Sequence, residues 1–226
     1  MSRSADGVHL VVLAKSPVAG RVKTRLCPPF TPVQAAALAE AALRDTLAAV
    51  AATPAVARTV VLDGPPGDWL PASFGVLPQR GRGLDERLAA AYDDAWALHP
   101  APLLLVGMDT PQVTSALLTA GASQLLSDGT DAVLGLATDG GWWALGLRRP
   151  DASLLVGVPM STAETGACQH RRLVQAALRV RLLPVLTDVD TAGDAVAVAA
   201  GCACSRFAVA LQAMALTGGA RADAGH

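Results

Sequence analysis

The chain has 226 residues, a hydrophobic fraction of 52% and a formal net charge of −1. This length predicts one large domain or two small ones, with enough chain to bury one sizeable core. The near-neutral charge provides neither the basic excess of a nucleic-acid-binding protein nor an acidic tail for a basic partner. The apolar run of residues 8–14 is too short to cross a bilayer, and residues 1–7 lack the pattern of a secretion signal. We therefore expect a cytoplasmic protein that binds neither nucleic acid nor membrane.

Strands and helices alternate along the chain. The predicted strands are residues 8–14, 58–63, 75–79, 103–107, 132–137, 143–147 and 180–186. The predicted helices are residues 32–52, 84–98, 113–126, the later part of 161–178, and 191–216. This order predicts one α/β domain over residues 1–216, a three-layer sandwich in which helices cover both faces of a mainly parallel sheet. Residues 217–226 are rich in Gly and Ala, and we expect them to form a disordered tail.

Charged side chains follow the predicted strands, and their signs differ along the chain. Cations follow the first strand: Lys15, Lys23 and Arg25. Carboxylates follow the later strands: Asp63, Asp109, Asp139, Asp188 and Asp190. In sheets of this kind, ligands bind beyond the carboxyl ends of the strands. The layout predicts a site for a polyphosphate together with a divalent metal.

The first of these loops, residues 15–26, carries four cations within eleven residues. Backbone N–H groups in a loop of this kind can face an anion. The loop does not have the glycine and lysine spacing of a Walker A motif. The chain has 16 arginines but only two lysines, Lys15 and Lys23, and both lie here, which favours a site that needs a compact ammonium group. The alternative is a solvated basic loop.

Two acidic segments could contribute metal ligands. Asp109 directly follows a buried strand, a position that suits Mg²⁺, although it could equally cap the helix that follows Pro111. Asp190 could instead cap the helix that follows it, with Asp194 in the first turn of that helix. A metal role for Asp190 depends on its meeting Asp109 in space.

The remaining candidates lie on two glycine-containing segments. Residues 139–141, Asp-Gly-Gly, are typical of a hairpin turn, but the glycines also permit close approach of a ligand. The tryptophans at 142 and 143 fit either a wall of an acceptor pocket or core packing. The Gly/Arg-rich residues 79–87 could contact a base or phosphate, with an ordinary surface loop as the alternative. We assign the acceptor side to Asp139, Gly140, Gly141, Trp142, Ser161 and Thr162, and add Arg80 and Gly81 to the nucleotide side.

These motifs, taken in order, resemble a known family. They are Lys15-x-Pro-x-x-Gly20-x-x-Lys23-Thr24-Arg25-Leu26, Gly107-x-Asp109-x-Pro111, Asp139-Gly140-Gly141 and Asp188-Val189-Asp190-Thr191-x-x-Asp194. The combination resembles the DUF2064 family of the GT-A superfamily, over about residues 8–200. That family is similar to nucleotidyltransferases such as the molybdenum-cofactor and phospholactate guanylyltransferases.

The resemblance implies a nucleotide-diphospho-sugar transferase-like fold and a divalent metal, Mg²⁺ or Mn²⁺. It implies that Asp109 and Asp190 hold the metal, and that the first loop holds the nucleotide phosphates through Ala14, Lys15, Gly20, Lys23 and Arg25. The chain departs from the pattern at residues 192–193, which are Ala-Gly where related enzymes have Pro-Glu, and at Asp85, where a Gly is expected.

Three functions fit these features. The first is transfer of a nucleotidyl group from an NTP to a small phosphorylated or hydroxyl acceptor, with Lys15, Lys23, Arg25 and Asp109 as the catalytic residues. The second is glycosyl transfer from a nucleotide sugar on the same fold. The third is nucleotide binding without catalysis. The concentration of cations in the first loop favours the first function, because an NTP carries more negative charge there.

Overall fold

The computed structural model describes residues 7–222, which form a seven-stranded sheet with helices on both faces. The strands are β1 (His9–Lys15), β2 (Ala57–Asp63), β3 (Gly75–Pro78), β4 (Leu103–Gly107), β5 (Ala132–Ala137), β6 (Trp142–Leu147) and β7 (Val180–Leu186). The helices are α1 (Pro32–Ala51), α2 (Leu84–Leu98), α3 (Ser115–Leu126), α4 (Thr165–Gln175), α5 (Ala192–Gly201) and α6 (Arg206–Ala222). Short 3-10 turns lie at Thr24–Leu26 and Ala152–Leu154. The strand and helix alternation predicted from the sequence is confirmed.

The sheet has the order β3-β2-β1-β4-β6-β5-β7, and β6 is antiparallel to both of its neighbours. The other pairings are parallel. After β1 the chain adds β2 and β3 on one side and then returns to place β4 on the other. Such a reversal opens a crevice at the carboxyl ends of the two strands concerned, where ligands bind in sheets of this type. The fold therefore puts a crevice beyond the ends of β1 and β4.

Strand β1 is buried on both faces because its side chains alternate between two cores. Leu10 and Val12 pack beneath α1 and α3, whereas Val11 packs beneath α2. A third apolar cluster joins the outer side of α1 to α5 and α6, and Leu38 and Phe207 are fully buried within it. The helical layer on that side of the sheet is thus two helices deep.

Helix α1 begins as its sequence predicts. The Thr31 hydroxyl accepts a hydrogen bond from the backbone N–H of Gln34, and the Gln34 side chain accepts one from the backbone N–H of Thr31. Pro32 is the first helical residue, where its missing N–H has no intrahelical partner to lose.

The predicted single helix over residues 191–216 is wrong, because the chain breaks into α5 and α6. The Ser205 hydroxyl accepts a hydrogen bond from the N–H of Ala208, and Asp45 of α1 accepts hydrogen bonds from the N–H groups of Arg206 and Phe207. These side chains accept hydrogen bonds from the backbone N–H groups at the start of α6, which have no partner within the helix. Helix α6 runs to Ala222, so residues 217–222 of the predicted disordered tail are helical. Residues 223–226 lie outside the described residues.

Within the described residues, no helix combines the length and the apolar character that crossing a bilayer requires.

Candidate active site

A cleft of about 920 Å³ opens at the carboxyl ends of the strands. Its charged lining is balanced, with six cations and five carboxylates: Lys15, Arg21, Lys23, Arg25, Arg82 and Arg87, and Asp109, Asp139, Asp188, Asp190 and Asp194. The cleft is open rather than enclosed, and its volume matches that of a site for a molecule larger than a single phosphate.

Lys23 lies between two carboxylates. Its Nζ is 3.0 Å from Oδ1 of Asp109 and 2.9 Å from Oδ1 of Asp190. The Lys23 side chain is only 9% exposed, whereas the two carboxylates are 40% and 34% exposed. The ammonium group is therefore held at the floor of the cleft, with the carboxylates on its solvent side.

The backbone around Lys23 holds this position. Lys23 has a left-handed conformation, with φ 48° and ψ 39°, which is uncommon for a residue with a side chain. Val22 on one side and Leu26 on the other are buried in two different apolar clusters. The loop is thus anchored on both sides of a residue whose backbone conformation costs free energy, a combination that is concentrated at functional sites.

Arg25 extends the same network. Its Nη1 donates to Oδ2 of Asp190 at 3.1 Å, so both oxygens of that carboxylate are paired with cations. Burial alone raises the pKa of Asp190, but the Lys23 and Arg25 charges outweigh it and lower the pKa below its usual value. Burial alone lowers the pKa of Lys23, and the Asp109 and Asp190 carboxylates raise it above 10.5. Both groups are charged at neutral pH.

Asp188 behaves differently from Asp190. Burial, followed by the nearby carboxylates of Asp109 and Asp139, raises the pKa of Asp188 from 3.8 to about 7. Its Oδ1 is buried and has no hydrogen-bond partner within residues 7–222. The positive charge of Lys23 offsets this rise in the pKa only in part.

A second charged network lies beside the cleft, where β1 and β2 end side by side. Lys15 and Asp63 are register partners, with Lys15 Nζ 4.0 Å from Oδ2 of Asp63. Arg87 of α2 donates to the same oxygen at 3.0 Å. The Lys15 side chain is 54% exposed, so its ammonium group is available to an anion in the cleft.

The structure brings together most of the residues predicted for the site. Ala14, Lys15, Lys23, Arg25, Asp109, Asp139, Gly141, Trp142, Ser161, Thr162 and Asp190 line the cleft. Trp142 is half-buried in its wall, whereas Trp143 is almost fully buried and donates its indole N–H to the carbonyl of Pro184. The structure therefore supports a wall position for Trp142 and a mainly packing role for Trp143.

Four of the predicted site residues do not line the cleft: Gly20, Arg80, Gly81 and Gly140. Arg80 instead forms a two-pronged ion pair with Asp94 of α2, with both N–O distances at 2.8 Å. A Cβ at Gly140 would lie 2.0 Å from the carbonyl oxygen of Ala163, and its φ is +89°. Gly140 is therefore required for the chain to pack against residues 163–166, which is a structural reason for a glycine that needs no ligand.

Other cleft residues were not assigned from the sequence: Arg21, Gln79, Arg82, Arg87 and Asp188. Arg82 lies two residues beyond Arg80 in the loop that was considered for nucleotide contact, and Asp188 lies two residues before Asp190. The Gln79 amide donates to the carbonyls of Ala14 and Val61, which ties the residue after β3 to β1 and β2. Position after a strand was the signal for each segment, but it did not specify which residue within the segment faces the cleft.

Comparison with known proteins identifies a family and a fold. The family model described as an uncharacterized protein conserved in bacteria, DUF2064, matches residues 35–162, a range that contains Asp109, residues 139–142 and residues 161–162. A search of curated proteins found no match.

Solved structures with the same fold were found. The chain is 26% identical to a candidate nucleotide-diphospho-sugar transferase from Desulfovibrio desulfuricans G20, over 81% of this chain and 82% of that one, with a TM-score of 0.74. Rv0371c from Mycobacterium tuberculosis H37Rv, in complex with manganese, is 23% identical, with coverage of 86% and 98% and a TM-score of 0.50. The CMP:2-keto-3-deoxy-manno-octonic acid synthetase complexed with CTP is 14% identical, with coverage of 88% and 99% and a TM-score of 0.56. The fold of the chain is therefore of the nucleotide-diphospho-sugar transferase type, as predicted.

Proposed function

The chain belongs to the DUF2064 family, and from that premise we propose that it is a metal-dependent transferase that moves the nucleotidyl group of an NTP to a small phosphorylated or hydroxyl acceptor. In this hypothesis, residues 1–216 form one catalytic domain. The observation that carries it is the position of Lys23, held between Asp109 and Asp190 at the floor of a large open cleft. A buried ammonium, flanking carboxylates and further cations around one cavity suit a polyphosphate with a divalent metal.

The carboxylates of the cleft fit a magnesium or manganese ion. Such ions take oxygen ligands, and magnesium in particular is usually held by one or two carboxylates together with substrate phosphates. Asp109 uses Oδ1 to pair with Lys23, and the segment that carries Asp188 and Asp190 is joined to Asp109 by a backbone hydrogen bond from Val189. Within residues 7–222, no group of three or more His, Cys, Asp or Glu side chains is arranged to hold a metal. In the proposed complex, the nucleotide phosphates would supply further oxygen ligands. When bound, the metal would neutralise charge on the phosphate oxygens.

The residues of the first loop would act on the leaving group. In the proposed reaction an acceptor oxygen forms a bond to the α-phosphorus, the bond from that phosphorus to the bridging oxygen breaks, pyrophosphate leaves, and the acceptor proton passes to solvent. Lys15, Lys23 and Arg25 would neutralise the charge that develops on the pyrophosphate. Positioning and electrostatic stabilisation of this kind account for most of the catalysis in phosphoryl chemistry.

The acceptor would contact the residues that follow β5 and precede α4. Asp139, Gly141, Trp142, Ser161 and Thr162 line the cleft, and the indole ring of Trp142 is half-buried. This arrangement suits a small molecule that has an apolar or sugar face and a phosphate or hydroxyl group. The CTP complex of the synthetase and the manganese complex of Rv0371c, both with the same fold, are consistent with a nucleotide and a divalent metal here.

Glycosyl transfer from a nucleotide sugar is the second candidate. It is favoured by the 26% identity to the candidate nucleotide-diphospho-sugar transferase from D. desulfuricans G20. In that case the metal would hold the diphosphate leaving group, and Trp142 would face the sugar.

A ligand screen separates these functions. The melting temperature of the protein is measured with each NTP and with a panel of nucleotide sugars, in the presence of Mg²⁺, Mn²⁺ or EDTA. A ligand at 100 times its Kd stabilises the protein by about 2.7 kcal/mol, which is a measurable shift. Metal-dependent stabilisation by one NTP, followed by pyrophosphate release when an acceptor is added, supports nucleotidyl transfer. Selective stabilisation by a nucleotide sugar supports glycosyl transfer, and binding without turnover supports a non-catalytic role. Absence of any metal-dependent stabilisation by either class contradicts the proposal.

A further inference from the structure

Strand β1 begins with a buried imidazole at a position where the sheet face calls for an apolar side chain. Side chains alternate along a strand, so His9, Val11 and Leu13 share the face of β1 that packs beneath α2. His9 is 0% exposed, although histidine is a residue of intermediate burial in most proteins. A buried polar group costs free energy unless its hydrogen-bonding atoms have partners. His9 therefore carries a cost that packing alone does not explain.

The contacts of His9 leave one ring nitrogen unpaired. Its Nε2 is 2.8 Å from Oγ1 of Thr59 on β2, whereas its Nδ1 is buried and has no hydrogen-bond partner within residues 7–222. His99 ends α2, and its Nε2 is also buried without a partner in that part of the chain. The two rings meet edge to face, with their centroids 6.0 Å apart. The end of α2 thus meets β1 at two imidazoles, each with one unpaired nitrogen.

A proton on His9 is disfavoured at this position. Burial lowers the pKa of His9 below its usual value of 6.5, and the charge of His99 lowers it further. The backbone carbonyls of His99 and Ala95, at the C-terminal end of α2, raise the pKa but do not compensate for burial. His9 is therefore neutral at pH 7, and it takes up a proton only in more acidic solution than a histidine of the unfolded chain does.

The strands around His9 offer no counter-charge for that proton. Strands β3 and β4 contain no charged residue. The charged residues of β1 and β2 are Lys15, Arg58 and Asp63. Lys15 and Asp63 lie at the far ends of their strands, and the Arg58 guanidinium donates to two backbone carbonyls near the end of α1, on the opposite face of the sheet.

Helix α2 offers no counter-charge either. Its carboxylates nearest to His99 in the sequence are Asp93 and Asp94, of which Asp93 is exposed and Asp94 pairs with Arg80 at 2.8 Å. Its other charged residues lie in its first turn, at the opposite end. His99 is the titratable group that acts on His9, and its charge opposes the uptake of a proton.

We propose that the His9–His99 pair is an acid-sensitive latch, which holds the end of α2 on β1 while both imidazoles are neutral and releases it when His9 takes up a proton. In the closed latch a charged imidazole would be buried without a counter-charge, whereas in the open state water solvates it. Helix α2 carries Leu84, Arg87 and Leu88 to the cleft, so the latch connects the pH of the solution to the element that forms part of the cleft lining. The latch is independent of the proposed function, because it lies at the end of α2 away from the cleft.

Hydrogen–deuterium exchange of the full chain at pH 7.5 and 5.5, corrected for the intrinsic exchange rate, tests the latch. An opened latch exposes His9, whose pKa then returns to about 6.5, so the opening equilibrium should rise by about 3–10-fold between these pH values. The rise should be confined to peptides that cover the end of α2 and the start of β1, because a local opening leaves the rest of the fold protected. His9→Gln is neutral at both pH values and should abolish the rise. His170→Gln, on α4, is the matched control and should retain it.

Three results overturn the inference: no rise at pH 5.5, a rise that persists in His9→Gln, and a rise spread evenly over the whole chain. Asp188 also titrates in this range, but it does so in the unaltered protein and in both variants alike. An NMR titration of the His9 ring protons is the second measurement. A pKa below 6.5 supports the latch, and a pKa at or above 6.5 overturns it. Circular dichroism checks the fold of each variant, and His9→Leu replaces His9→Gln if that variant misfolds.

Discussion

Replacement of Lys23 by alanine separates the catalytic contribution of the first loop from its structural contribution. The substitution removes one ammonium group and leaves Asp109 and Asp190 facing each other across the space that it occupied. We expect turnover to fall far more than stability, because Lys23 is proposed to stabilise the leaving group. The structure adds a definite cost to stability, because Lys23 is nearly buried and pairs with two carboxylates at about 3 Å.

The size of each effect follows from burial. Removing one partner of a fully buried ion pair costs about 3–5 kcal/mol, and exposed pairs are worth about 0–1 kcal/mol. Since the two carboxylates are more than a third exposed, we expect a loss between these limits, about 1–3 kcal/mol. For a domain of this size that is a fall of roughly 3–10 °C in melting temperature. Turnover should fall by about 10²–10³, as on removal of an oxyanion-hole donor.

The assay pairs urea unfolding with pyrophosphate release measured well below the melting temperature. Leu118→Ala is the matched control, since Leu118 is buried in α3, does not line the cleft, and should lose about 2–5 kcal/mol on truncation. We expect this control to keep its turnover per folded molecule. If Lys23→Ala loses no more turnover than Leu118→Ala at an equal folded fraction, the catalytic reasoning is refuted.

Three further predictions concern residues around the cleft. Burial and neighbouring carboxylates raise the pKa of Asp188 to about 7, which costs the folded state up to about 4 kcal/mol above that pH, whereas well below pH 3.8 Asp188 is protonated in both the folded and the unfolded state. In metal-free buffer Asp188→Asn should therefore stabilise the protein at pH 8 and not at about pH 2.5, and an equal effect at both values in thermal melts would contradict this. Arg82→Gln should weaken NTP binding about tenfold in calorimetric titrations, whereas Arg80→Gln should not, because only Arg82 lines the cleft; equal losses would contradict the assignment. Gly140→Ala should lower the melting temperature far more than Gly157→Ala, because both glycines have positive φ but only a Cβ at 140 would meet a backbone carbonyl; similar losses would contradict the packing argument.

The fold was largely predictable because each buried strand is a run of apolar residues that ends at a loop. Strand β4, Leu103–Gly107, matches its predicted bounds, and the Thr31-Pro32 start of α1 is confirmed by its capping contacts. The break between α5 and α6 was missed because alanine-rich sequence continues on both sides of it. Gly201 and Ser205 were the available signals, as residues typical of a helix end and a helix start.

The site was predictable at the level of segments rather than of single residues. The carboxyl ends of parallel strands share one edge of the sheet, so cations after β1 and carboxylates after the other strands had to lie near each other. Whether Arg80 or Arg82 faces the cleft depends on loop geometry and on Asp94, a partner 14 residues away. The environments of Asp188 and Asp190 differ because of cations from the first loop. Arg25, which pairs with Asp190, lies 165 residues before it in the sequence. Pairings of this kind are tertiary, and local sequence patterns do not specify them.

The central hypothesis is that the first loop and Asp109 bind one metal–polyphosphate complex in the cleft. Its most direct test is a crystal structure of the protein soaked with Mn²⁺ and a non-hydrolysable NTP analogue, with the metal located by its anomalous scattering. Mn²⁺ should lie within about 2.0–2.6 Å of a carboxylate oxygen of Asp109 and of phosphate oxygens, the range of oxygen–divalent metal distances. The phosphates should lie within hydrogen-bond distance of Lys15 or Lys23. Metal and triphosphate bound together elsewhere on the surface, with the cleft empty, would contradict this hypothesis.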